Sequence, residues 1–237
     1  MPEHDGGGVK IPTSATSSET TNPAGSMHAK LGRAIRPLGT LHLTLGVMSL
    51  PDQAGVDRAV ELLRSIDLRE MLRGAAQPHA AHDTLPDPSV PVEDPQPLSV
   101  ALTSLATMQS PAKTTLLYTR PVDKTNRLYP FCKQLREIFV SGGLITPEDR
   151  PLLLHATVLN TIYAGGRGGK GKGKRWTIDA RELINQYEDV EFAAGVELEK
   201  IAICKMGATR VVDEQGQLTG EEEYEIVAER AILDGGG

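Results

Sequence analysis

Residues 40–50 read TLHLTLGVMSL, and residues 151–161 read PLLLHATVLNT. In the first stretch Leu41, Leu43, Leu45 and Val47 fall on one face of an extended chain, and His42, Thr44 and Gly46 on the other, because side chains alternate along a strand. In the second, Leu152, Leu154, Ala156 and Val158 share a face, and His155, Thr157 and Leu159 take the opposite one. Each stretch therefore predicts a strand with an apolar side and a His-x-Thr pair on the other side. A histidine and a hydroxyl two residues apart on a strand project together, so one phosphate can touch both.

Phosphodiester chemistry uses this set. In-line cleavage needs a base on the attacking oxygen and an acid on the leaving oxygen, and histidine, with a reference pKa of about 6.5, serves as either near neutrality. Two histidines suffice, so neither a metal nor a cofactor is expected. The threonine hydroxyls donate to the non-bridging oxygens, where charge builds up. A third triplet, His82-Asp83-Thr84, has only Pro-rich sequence around it and is set aside. The spacing equally fits two half-buried strand histidines bonded to backbone, and structural context has to decide.

Outward from these stretches, the 237 residues are 39% hydrophobic and 24% charged, an ordinary globular composition that excludes collagen, coiled coil and wholesale disorder. Residues 1–30 are rich in Ser, Thr, Gly and Pro and predict a disordered tail ahead of one domain, 31–237. Six prolines in 77–97 predict a surface loop. After Asp52, a capping residue, Val56, Val60, Leu63 and Ile66 predict a helix that stops near Gly74. Strands are predicted over 98–108 and 113–119. A helix over 123–140, bent at Pro130 and ended by Gly142 and Gly143, comes next. A strand over 152–162, a short helix after Asp179, and strands over 197–206 and 222–231 flanking a turn complete the chain. Helices and strands interleave, which gives an α/β or α+β class.

No run approaches the roughly 20 apolar residues that span a bilayer, and the first residues lack a signal-peptide core, so an intracellular, nuclear or cytoplasmic protein with no membrane partner is expected. Cys132 and Cys204 are too few for a disulfide framework and read as packing residues. The net charge of −6 is uninformative about nucleic acid, because phosphate senses the local field. That field is positive in 164–175, AGGRGGKGKGKR, where Arg167, Lys170, Lys172, Lys174 and Arg175 are candidate RNA contacts. Gly168 to Lys174 nearly fits a P-loop, but Arg175 replaces the required Ser or Thr. Tyr118, Tyr163 and Trp176 are the aromatics nearest the two motifs in sequence and candidates for base stacking. Lys205 and Arg210 are candidates for added positive field.

The two histidine motifs, the helix between them in VDKTNRLYPFCKQLREIFVSGGLI, and the later IDARELINQYED resemble the 2H phosphoesterase superfamily. Within it the resemblance is to the 2'-5' RNA ligase-like domain of the activating signal cointegrator 1 complex subunit 1 and A-kinase anchoring protein branch. It covers roughly residues 35–233. The resemblance implies a bilobal α+β fold with two antiparallel sheets around a groove, and metal-independent activity on RNA ends or 2',3'-cyclic phosphates. His42 and His155 would then be the acid/base pair, and Thr44 and Thr157 the phosphate ligands. Members of the branch carry a strand ahead of the first motif, and the residues before Leu41 are too polar and Gly-rich to supply it. The rival expectation is a non-catalytic RNA-binding or scaffold subunit of a nuclear activating signal cointegrator complex, linked to transcription and alkylation repair.

Overall fold

Helix α1 (Gln53–Ser65) begins where the sequence says, with the Asp52 carboxylate accepting from the Gly55 amide at 2.8 Å. The computed structural model to which it belongs describes residues 30–75, 94–164 and 176–233. The expected tail, most of the Pro-rich loop and nearly all of 164–175 lie outside these residues.

The helix expected to run to Gly74 is two helices. α1 stops at Ser65, and α2 (Leu68–Ala75) starts afresh with Asp67 accepting from the Glu70 amide. The last carbonyls of α1 are gathered by a cation from far along the chain: Arg230 Nη1 donates to Leu63, Arg64 and Ile66 oxygens. Helix α3 is Leu128–Ser141, so Pro130 lies in its first turn, where amides lack intrahelical partners and the expected bend has no cause. Asp123 precedes it, accepting from Thr125, Arg127 and Leu128 amides. Gly142 and Gly143, the latter at φ +71°, end it as expected. Helix α4 is Arg181–Gln186.

Strands β1 (Ser99–Ala106), β2 (Leu116–Val122), β3 (Ala156–Asn160) and β4 (Glu191–Glu197) form one antiparallel sheet in the order β3-β2-β1-β4. The class is α+β. Strands β5 (Lys200–Cys204), β6 (Thr209–Val212), β7 (Leu218–Glu223) and β8 (Ile226–Ala231) form two separate ladders, β5-β8 and β6-β7, in place of one second sheet. β4, β6 and most of β7 are additions to the sequence reading. Among the described residues ahead of Leu41 there is no strand: residues 30–34 are helical, and Ile35 makes an isolated bridge to Leu159.

The main core joins α1, α2 and α3 to the first strand, with Leu63, Leu72, Leu98, Phe131 and Leu135 at most 1% exposed. A second cluster of Ala34, Leu117, Leu159, Ala164, Ile178 and Ala180 backs β2 and β3.

The two histidine stretches differ from the expected strands. Residues 41–47 are in no ladder, and only Met48 bridges, to Ile145. Alternation holds through Leu43 and Leu45 and then shifts, so that Met48 and Leu50 pack inward while Val47 is 61% exposed. Gly46 sits at the shift, where a Cβ would lie 2.5 Å from Ile145 Cδ1. The second stretch enters a ladder only at Ala156. Its register slips at Val158, with Tyr118 opposite Thr157 and Leu117 opposite Leu159, which turns Leu159 into the second cluster instead of alongside His155.

Candidate functional site

Leu43 and Leu45 from the first stretch and Leu152 and Leu154 from the second pack against the same core. His42, Thr44, His155 and Thr157 occupy the alternate positions of those extended segments. His42 is exposed, and Thr44, His155 and Thr157 are half-buried.

The two rings are held alike. His42 Nδ1 lies 2.8 Å from the Thr40 carbonyl, and His155 Nδ1 lies 2.8 Å from the Leu153 carbonyl. A carbonyl oxygen only accepts, so the proton in each contact belongs on Nδ1, and the neutral ring keeps its lone pair on Nε2. The local cause is the extended backbone, which brings the carbonyl two residues back to the same face as the ring. Each ring also meets a tyrosine edge to face. Tyr224 lies 5.0 Å from His42 between centroids at 78°, and Tyr118 lies 5.3 Å from His155 at 67°.

Beside His42 stands a charged cluster that the sequence reading missed. Arg36, its side chain 5% exposed, donates to Glu222 at 3.2 Å, and its guanidinium stacks 3.8 Å above the Tyr163 ring. Burial pushes the Tyr224 hydroxyl above its ordinary range, with Tyr163 adding to the shift and Arg36 opposing it. A phenol so shifted stays protonated at neutral pH. The period-2 placement of Glu222 and Tyr224 in GEEEYE was the available sign.

Tyr118 is 5% exposed against His155 and offers no stacking surface. Tyr163 has Arg36 on one face, and Trp176 packs on the second cluster. Lys205 is neutralised by Glu225 at 2.5 Å. Burial pushes the Cys132 thiol up to about 12, as suits a packing residue, but Cys204 is exposed, against expectation. Arg167, Lys170, Lys172, Lys174 and Arg175 lie outside the described residues. Among the described residues no helix is long and apolar enough to cross a membrane, and no three His, Cys, Asp or Glu side chains gather as a metal site.

The model of the AKAP7 2'5' RNA ligase-like domain matches residues 24–221. An uncharacterised protein of Schizosaccharomyces pombe, C15D4.13c, is 35% identical over 115 residues, 48% of this chain and 50% of its own length. Activating signal cointegrator 1 complex subunit 1 of Mus musculus is 25% identical over 154 residues, 64% of this chain and 38% of its own length. The matches thus span half or less of these relatives. With both motifs inside the matched segment, the chain belongs to the AKAP7 2'5' RNA ligase-like family of the 2H phosphoesterase superfamily.

Proposed function

We propose that the chain is a metal-independent phosphodiesterase acting on RNA ends or 2',3'-cyclic phosphates, with His42 and His155 as its acid/base pair and Thr44 and Thr157 as its phosphate ligands. The observation that carries this reading is the matched pair of Nδ1 contacts, which leaves Nε2 of both rings for proton transfer. For a 2',3'-cyclic phosphate, one Nε2 takes a proton from the attacking water as its oxygen bonds to phosphorus. The other Nε2, protonated, gives its proton to the ribose oxygen that leaves. The product is a phosphomonoester, and the rings return to their starting protonation through solvent. The Thr44 and Thr157 hydroxyls donate to the non-bridging oxygens.

The test is turnover of short oligonucleotides ending in a 2',3'-cyclic phosphate, in EDTA, by wild type beside His42→Ala and His155→Ala, with circular dichroism confirming the fold. Turnover confined to wild type supports the reading; persistent turnover in either variant overturns the acid/base assignment. The charge of Arg167, Lys170, Lys172, Lys174 and Arg175 supports RNA as the substrate. Replacing Lys170, Lys172 and Lys174 by Ala is expected to weaken RNA binding and flatten its salt dependence.

A second reading is a non-catalytic subunit of an activating signal cointegrator complex in the nucleus. The likeness to the mouse complex subunit favours it. No turnover from a folded wild type would favour it over the enzyme.

A further inference from the structure

His155 directly precedes β3, whose ladder begins at the next residue, Ala156, whereas His42 stands in residues 41–47, which are in no ladder. Something else has to hold the first ring. We propose that Tyr224 is a positioning residue for His42, and that the Arg36–Glu222 ion pair holds Tyr224 in place; the proposal rests on the acid/base reading of His42.

Four observations carry it. The Tyr224 ring meets His42 edge to face at 5.0 Å, on a ring whose only hydrogen bond among the described residues is to its own segment. Tyr224 directly follows the last residue of β7, two positions after Glu222, so the backbone of β7 ties the two residues together. Glu222 is bound by a guanidinium that is 5% exposed and covered by the Tyr163 ring, so the cation end of the pair is held by packing as well as by charge. The Arg36 amide in turn donates to the Val158 carbonyl at 2.9 Å, and Tyr163 lies in the turn that ends β3. The strand with the His155 motif is thereby joined, through Arg36, to the wall behind His42. Tyr224 acts through the ring it supports and touches no reacting atom.

The experiment uses the full chain and two readouts: the ring 15N signals of His42, which report the tautomer, and steady-state kinetics on an oligonucleotide with a 2',3'-cyclic phosphate end. Wild type is expected to show the Nδ1-protonated tautomer. Tyr224→Leu is expected to lose that preference and to lower kcat about tenfold or more while KM changes by less than about threefold, since misplacing a reacting group costs rate before it costs binding. Tyr224→Phe keeps the ring and is expected to retain both readouts. Glu222→Gln removes the charge with little change of shape, and is expected to move both in the direction of Tyr224→Leu by a smaller amount. It also serves if Tyr224→Leu does not fold. Unchanged His42 signals and kcat in a folded Tyr224→Leu, or in a folded Glu222→Gln should the former not fold, would overturn the proposal. If wild type has no turnover, the acid/base reading fails, and the ring signals alone still decide whether Tyr224 positions His42.

Discussion

The same triplet is supported in two different ways in this molecule. Thr157 lies within β3, opposite Tyr118, in a sheet whose ladder hydrogen bonds hold the backbone irrespective of the side chains. His42 and Thr44 lie on a segment held by packing: leucines on the core beneath, the 3₁₀ turn Leu38–Thr40 against β7, and the bridge of Met48 to Ile145. A motif can thus be repeated in sequence and in local geometry while its support is not. The comparison separates chemistry, which the paired contacts make symmetric, from stability, which they do not.

The largest effect tests the symmetric half. Loss of either histidine is expected to lower kcat/KM by a factor of about 100 or more, and the double variant to be little worse than either, because an acid and a base acting in one step are not additive. A loss at His42 much smaller than at His155 would break the equivalence.

The next effect tests the asymmetric half. A Cβ on Gly39 would lie 2.8 Å from the Glu222 backbone oxygen, which cannot move without β7. Gly39→Ala is therefore expected to destabilise by about 1–3 kcal/mol, the usual cost of overpacking. A Cβ on Gly46 comes even closer to Ile145, at 2.5 Å, but the contact is the end of a flexible side chain, and Gly46→Ala is expected to cost less. Urea midpoints of the two variants decide the order, and a larger loss at Gly46 would mean that the Ile145 contact is the tighter anchor.

These supports explain what could be read beforehand. The polar positions of both motifs were visible because alternation reports which face is buried, and the Asp52 cap and the Gly142–Gly143 stop were visible because they are local chemistry. Alternation does not report a partner backbone, so residues 41–47 read as a strand that has no ladder. The break at Ile66 and Asp67 was hidden because apolar spacing continues through it into Leu68, Met71 and Leu72. β6 and β7 bury too little to leave a pattern, and β4 carries Gly195 at φ +63° inside an irregular one. Arg36 and Glu222 are 186 residues apart, and no local pattern joins them.

On the β3 side the junction to α3 gives a pH prediction. Burial works against the charged form of Asp123, but the Thr125 hydroxyl and the Leu128, Thr125 and Arg127 amides outweigh it and hold the carboxyl below its ordinary value of 3.8. A carboxylate with a depressed folded pKa stabilises the fold fully above its unfolded pKa, and that contribution disappears as pH falls through the folded value. Asp123→Ala is expected to cost about 1 kcal/mol at neutral pH, as loss of a helix-capping carboxylate does, and to lose less further stability below about pH 4 than wild type. Thermal melts at pH 7 and pH 3 measure it, and parallel losses in both proteins would remove Asp123 from the account.

The smallest effect sets a floor for the His42 side. Lys205 and Glu225 pair at 2.5 Å just past β5 and just before β8, next to Tyr224, and their side chains are 61% and 55% exposed. Solvent screens such a pair and ordering two long side chains opposes it, so Lys205→Met is expected to change stability by less than about 1 kcal/mol, and by less still in high salt. The Arg36–Glu222 pair sits in the same region with its cation buried, and the two pairs differ mainly in that burial. If Lys205→Met leaves the His42 ring signals unmoved while Glu222→Gln shifts them, the buried pair is the one that reaches the histidine. If both shift them equally, position along β7 and β8 matters more than burial, and the whole corner around Tyr224 acts as one support.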